Sequence, residues 1–209
     1  MIKNLPENWR VDLSMDECEH YLNDSDRRLY LMSEIASSSN KNGGLALSTA
    51  SQIVDDIIAY NRQDKGISPS ARDPILLYIN SPGGDFIEGF AIVSAIKASK
   101  TPVWTVNVGQ WSSTAFLIGI TGHRRLSLRY AMFLMHDDIP FPSAVYPSEL
   151  EAKMELNKRL VIRGIVLSHS KMKATEYDSK AHDGFCMLSG DAKRFGFIDD
   201  IVESLDEII

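Results

Sequence analysis

The stretch Ile75-Leu76-Leu77-Tyr78-Ile79 is apolar at every position. In a β-strand successive side chains point to opposite faces, so a run like this has to be covered on both. Such a strand belongs inside a sheet that carries helices on either side. The residues that follow agree: Asn80-Ser81-Pro82-Gly83-Gly84 breaks the run, and Phe86, Phe90, Val93 and Ile96 then recur at helical spacing. The pattern repeats. Pro102 to Val108 reads as the next strand, Gly109 as a turn, and Ala115, Phe116, Leu117, Ile118 and Ile120 as a helix closed by Gly122. Repeated strand–helix–strand units with short crossovers predict an α/β chain with a mostly parallel sheet.

The rest of the chain fills in around this centre. Residues 1–27 are polar with weak periodicity and read as an N-terminal arm, leaving 28–209 as a single domain. Arg28 to Ile35 looks like a first strand, and Ser37 to Gly44 is a loop by composition. Thr49 with Gln52 forms a capping box ahead of an amphipathic helix through Ile53, Val54, Ile57 and Ile58. Gly66 to Pro74 is a second loop. Leu126 to Leu128 and Ala131 to Met135 are short strands, and a long charged helix spans about Pro147 to His169. A helix (Asp191 to Phe195) and a strand (Ile198 to Val202) close the chain.

Composition excludes several function classes. Of 209 residues, 44% are apolar and 24% charged, which is ordinary for a soluble globular protein and unlike a disordered or fibrous one. The apolar stretches are far shorter than the roughly 20 residues of a membrane span, and Met1 to Glu7 contains no apolar core of a secretory signal. The net charge of −6 with interspersed signs gives no nucleic-acid footprint. Cys18 and Cys186 stand far apart in no metal or redox spacing, so they read as reduced thiols of a cytoplasmic protein. No Walker A pattern and no other cofactor motif is present.

Two strand-to-helix turns could carry chemistry: Asn80 to Gly84, and Gly109-Gln110-Trp111-Ser112-Ser113. Each puts small residues where a helix begins and backbone N–H groups lack partners. A serine there can be a nucleophile beside an oxyanion site. Taken alone, Pro-Gly-Gly is equally a tight turn, and Ser112 or Ser113 an N-cap. His136 closes the strand Ala131 to Met135 and so projects from the carboxyl edge of the sheet, where sites of open α/β sheets gather. A strand-end histidine can also be structural.

Several short motifs, in order, resemble the proteolytic subunit of Clp protease, a self-compartmentalising serine peptidase family. Tyr78 to Gly84 resembles its Gly-Gly signature, Gly109 to Ser113 its nucleophile box with Trp111 and Ser112 replacing two alanines, and Met132 to His136 the strand ending in its catalytic histidine. Ala192 to Asp199 resembles its closing motif. Counting forward from Gly84 or back from Thr121-Gly122 gives Ser113 as the nucleophile, with Ser112 as the adjacent hydroxyl. The third member is Asp183, because Phe185 repeats the family's aromatic two positions on; Asp178 is the alternative. The resemblance implies a ClpP/crotonase-like spiral of ββα units with a protruding handle helix, the handle spanning about 137–182.

It further implies a Ser113–His136–Asp183 triad, an oxyanion hole from the backbone N–H groups of Gly83 and Thr114, and no cofactor or metal. The activity implied is serine endopeptidase action on unfolded proteins or peptides. A phage-type prohead maturation peptidase and a catalytically silent ring subunit are the alternatives. The partners implied are further copies of the chain in homo-oligomeric rings (heptamer or tetradecamer) and an AAA+ unfoldase that supplies ATP hydrolysis; neither nucleic acid nor membrane is expected. The chain departs from the pattern at Asp137 to Pro142, at Gly184, and in an insertion from Ser37 to Leu47. Trp111 is expected to narrow the site or alter substrate preference. The His136-Asp137 and His182-Asp183 pairs also admit a metal phosphohydrolase, but such domains are helical and His136 ends a strand.

Overall fold

The computed structural model describes residues 27–36, 48–136 and 148–208. The expected N-terminal arm up to residue 26, the insertion from residue 37 and the segment Asp137 to Pro142 lie outside them. Strands β1 (Arg28–Leu31), β2 (Ile75–Ser81), β3 (Val103–Ser112), β4 (Arg124–Leu128) and β7 (Asp200–Val202) lie side by side in that order, all parallel. The apolar run that opens β2 is buried from Ile75 to Leu77, as its composition demands.

Helices α1 (Thr49–Gln63), α2 (Phe86–Ala98) and α3 (Thr114–Ile120) connect these strands. The cap of α1 falls one residue earlier than the capping-box reading: Ser48 Oγ accepts the Ser51 N–H at 3.1 Å and also meets Glu88 on α2. Leu29, Leu31, Ile53, Ile57, Leu77, Ile79, Ile92 and Ile96 interlock in one core between helices and sheet. Gaps in such a core cost several kcal/mol, so these positions fix the layer spacing.

Strand β3 decides the architecture. It runs straight through Gly109 to Ser112, where the sequence predicts a turn. The side chain of Asn80 accepts the Gln110 N–H (3.1 Å) and that of Asn107 the Gly109 N–H (3.1 Å), so the strand continues past the glycine. Its first half, Trp104 to Asn107, pairs with β4. Its second half, Gln110 to Ser112, pairs instead with β5 (Met132–Met135). One strand therefore serves two arms of the sheet.

The second arm ends in β6 (Phe185–Leu188), antiparallel to β5 and absent from the sequence reading, as is the short helix α5 (Ala174–Lys180). Between them and β5 lies the long helix α4 (Glu149–Ser168), started by a capping box of Ser148 and Glu151. Only Ile162 and Val166 of α4 are fully buried; Leu150, Met154, Leu156 and Leu160 are 58–66% exposed. Helix α6 (Ser189–Phe195) ends on left-handed Gly196 and leads into β7.

Candidate active site

Ser113 sits at the junction of β3 and α3 with φ +55° and ψ −124°. A non-glycine residue at positive φ is strained by about 1–3 kcal/mol and persists only where its surroundings hold it. Here the Ser113 N–H donates to the Leu134 carbonyl of β5 at 2.9 Å, and Gly83 packs against its side chain. The Ser113 hydroxyl makes no capping bond to α3, so the N-cap reading does not describe it. Ser112 is different: it is buried in β3, with its hydroxyl bonded to the Gln110 side chain at 3.3 Å.

His136 follows β5 directly, two residues beyond the carbonyl that holds Ser113. Parallel neighbours in a sheet lie about 4.8 Å apart, and the register Ser112↔Leu134 brings both side chains to one carboxyl edge. On the other flank of β5, Met135 pairs with Phe185, so Gly184 comes opposite His136 and Asp183 lies one residue beyond. A side chain built at Gly184 would touch His136 Cβ at 3.9 Å, which measures how closely the strand ends approach. Gly184 also has φ +80°, which turns the chain there without penalty. The alternative Asp178 is committed elsewhere. Both of its oxygens accept from Arg163 at 2.8 and 3.0 Å, and these bonds hold its carboxyl below the usual range.

The glycine turn meets Ser113 from the β2 side. Gly83 has φ +94°, and a Cβ there would fall 2.6 Å from the Ser112 carbonyl and 2.9 Å from the Thr114 nitrogen. Gly84 has φ +141°, with the Ile35 carbonyl where a Cβ would go. Only glycine fits either position. The Gly83 N–H donates to Ser81 Oγ at 3.1 Å, so serving an oxyanion would require it to exchange that partner. Ile35 bridges the turn, donating its N–H to the Gly83 carbonyl and accepting from Asp85, both at 2.8 Å. The Thr114 hydroxyl donates to the Gly84 carbonyl at 2.9 Å. The Gly84 N–H has no hydrogen-bond partner among the described residues.

Trp111 corrects an expectation. Its ring is fully buried, stacked edge-on against Phe133 at 5.4 Å and seated against Gly119 of α3, so it points into the core and does not line the serine. Strand alternation puts Trp111 on the face opposite Ser112, and Ser113, just beyond β3 at positive φ, does not continue that alternation. Among the described residues, no three His, Cys, Asp or Glu side chains gather in a metal-binding cluster, and no helix is long and apolar enough to cross a membrane.

A family model described as Clp protease matches residues 28–205. The chain belongs to the Clp protease family. Among curated Clp relatives, the ATP-dependent Clp protease proteolytic subunit 2 of Borreliella burgdorferi is 32% identical over 145 residues, covering 66% of this chain and 73% of the relative. The protein of the same description from Treponema pallidum is 26% identical over 139 residues, covering 65% and 70%. A solved ClpP1 mutant from Listeria monocytogenes superposes with a TM-score of 0.69 at 22% identity, over 88% of this chain and 95% of that one. The α/β fold is thus that of a Clp protease subunit, as the motifs predicted.

Within this Clp protease chain, sequence reading missed three supports of the glycine turn: Ile35, the Thr114 hydroxyl and Ser81. None carried a signal, because each acts through a contact between segments distant in sequence.

Proposed function

We propose that this chain is a serine endopeptidase subunit in which Ser113, His136 and Asp183 form the catalytic triad. The observation that supports it most directly is the strained Ser113, tied by its N–H to the strand that delivers His136. In the reaction, His136 takes the proton of the Ser113 hydroxyl as its oxygen bonds to the scissile carbonyl carbon. Asp183 holds the imidazole in the required tautomer and stabilises its charged form. The tetrahedral intermediate collapses with cleavage of the C–N bond, and His136 returns the proton to the leaving amine. Water, activated by the same histidine, then frees the acyl group and regenerates the serine.

The negative charge on the intermediate is taken by the Thr114 N–H together with the Gly83–Gly84 turn. Gly83 serves if its N–H leaves Ser81. The Gly84 N–H has no competing partner among the described residues. Each such donor is worth on the order of 10² to 10³ in rate. The substrates proposed are unfolded polypeptides, and the working unit is a homo-oligomeric ring in the cytoplasm, fed by an AAA+ unfoldase. The exposed apolar side chains along α4 support burial of that helix against further copies.

A fluorophosphonate probe tests the reading. The intact protein should acquire one covalent adduct, and Ser113→Ala should acquire none. An adduct that survives Ser113→Ala, or none on the intact protein, overturns the triad; the latter is the result expected of a catalytically silent ring subunit.

A further inference from the structure

Asn107 is an amide in an otherwise apolar stretch of β3. It lies fully buried between Val106 and Val108, where a polar side chain is costly unless it is bonded. Both ends of the amide are used. Oδ1 accepts the Gly109 N–H at 3.1 Å, and Nδ2 donates to the Met132 carbonyl at 2.9 Å. One partner is a donor and the other an acceptor, so only one orientation of the amide satisfies both.

The sheet forks at this point. Asn107 is the last residue of β3 to pair with β4, opposite Ser127, and Gln110 is the first to pair with β5, opposite Met132. Val108 and Gly109 fall between the two arms. On the β2 side the register shifts over the same stretch: Ile79 faces Asn107, but Ser81 faces Trp111. Such an irregularity leaves the ladder locally unmade, and the Asn107 side chain closes it towards β5. Strand β5 is only four residues long. It is thus clipped to β3 at two places, by Asn107 through the Met132 carbonyl and by the Ser113 N–H through the Leu134 carbonyl.

We propose that Asn107 is a positioning residue: its amide bridges the fork and fixes the start of β5 against the strand that leads to Ser113. It thereby sets the register on which His136 is carried to that serine. A slip of one residue would turn every side chain of β5 to the opposite face. Ser189 has a different task at the same place. Its hydroxyl meets the carbonyls of Leu128 and Ala131 at 2.7 and 3.2 Å, which holds the link from β4 to the start of α6 and not to β3. The role of Asn107 rests on the peptidase reading above.

The test uses two variants of similar size. Asn107→Asp keeps the bond to Gly109 and loses the one to Met132, and Asn107→Leu loses both. Ser189→Ala is the control, because it loosens the same link without touching the tie to β3. Steady-state hydrolysis of a fluorogenic peptide gives kcat and KM, and urea unfolding fixes conditions in which each variant is folded. A misplacement of about 1 Å at a reacting group can cost about 10² in rate. Both Asn107 variants should therefore lose about tenfold or more in kcat, up to about that limit, with KM within about threefold. Ser189→Ala should lower the urea midpoint and lose less kcat than either. A kcat loss in Asn107→Leu no larger than that in Ser189→Ala overturns the proposal, because general loosening would then explain it. If the Asn107 variants do not fold, hydrogen exchange of the Gly109 amide in the intact protein decides. Protection like that of a sheet amide supports the bridge, and exchange as fast as that of an open loop overturns it. Hydrolysis that persists in Ser113→Ala instead overturns the peptidase reading, so the two failures are distinguishable.

Discussion

Asp64 offers a direct measure of how firmly the first strand is anchored. It caps α1, its side chain is almost fully buried, and it takes a two-pronged bond from Arg27 at 2.7 and 2.8 Å. Thr101 donates a third bond at 2.8 Å. The Arg27 bond, supported by that of Thr101 and opposed by burial, holds the Asp64 carboxyl at about 2 against an ordinary 3.8. Each unit of pKa is worth about 1.4 kcal/mol, so the ionised form contributes about 2 kcal/mol to folding at neutral pH. Because the folded value is the lower one, this contribution is present above the ordinary 3.8 and is lost as pH falls towards 2.

Asp64→Asn should therefore lower the unfolding free energy by about 2 kcal/mol at pH 7, which is about 4–8 °C for a chain of this size. The gap should shrink to about half by pH 3. Urea unfolding of both proteins at pH 7, 5 and 3 measures it through the midpoint and slope. A gap that stays constant with pH would show that Asn fails through packing and not through lost charge. No gap at pH 7 would show that Arg27 does not hold the strand.

Asp56 should behave in the opposite way. Burial, aided by the neighbouring Asp55, pushes its carboxyl up to about 6, so its ionised form opposes folding and stability is lost as pH rises through that value. Asp56→Asn should raise the urea midpoint at pH 7.5 and leave it unchanged at pH 3; an equal gain at both would refute the electrostatic account. At the candidate site, Asp183→Asn should reduce kcat on a fluorogenic peptide by orders of magnitude, whereas Asp178→Asn should leave kcat unchanged because that carboxylate serves Arg163. The reverse ranking would transfer the third role to Asp178.

The central strand and its helix were legible because burial on both faces writes itself into every residue from Ile75 to Ile79. Motif order pairs Ser113 with His136 as candidates, and the register of β3 with β5 brings the two strand ends side by side. The end of β3 was not. Gly109 looks like a turn until the side chain of Asn107 accepts its own N–H and that of Asn80 accepts the N–H of Gln110. Strand β6 was missed because four residues are too few to display alternation, and its partner β5 is distant in sequence. The direction of Trp111 depends on the space left by Gly119, a fit between two elements that neither announces alone.

Strand β1 lies at the rim of the sheet and pairs only with β2 among the described residues, yet its continuation through Ile35 clasps the glycine turn. Rim strands open at lower free energy than the centre of a domain. The candidate site is thus tied to the edge of the sheet as well as to its centre. Because Ile35 joins that rim strand to the glycine turn, opening of the rim is expected to disturb the turn. A peptidase site tied in this way depends on a segment that lies more than 70 residues before Ser113 in the chain.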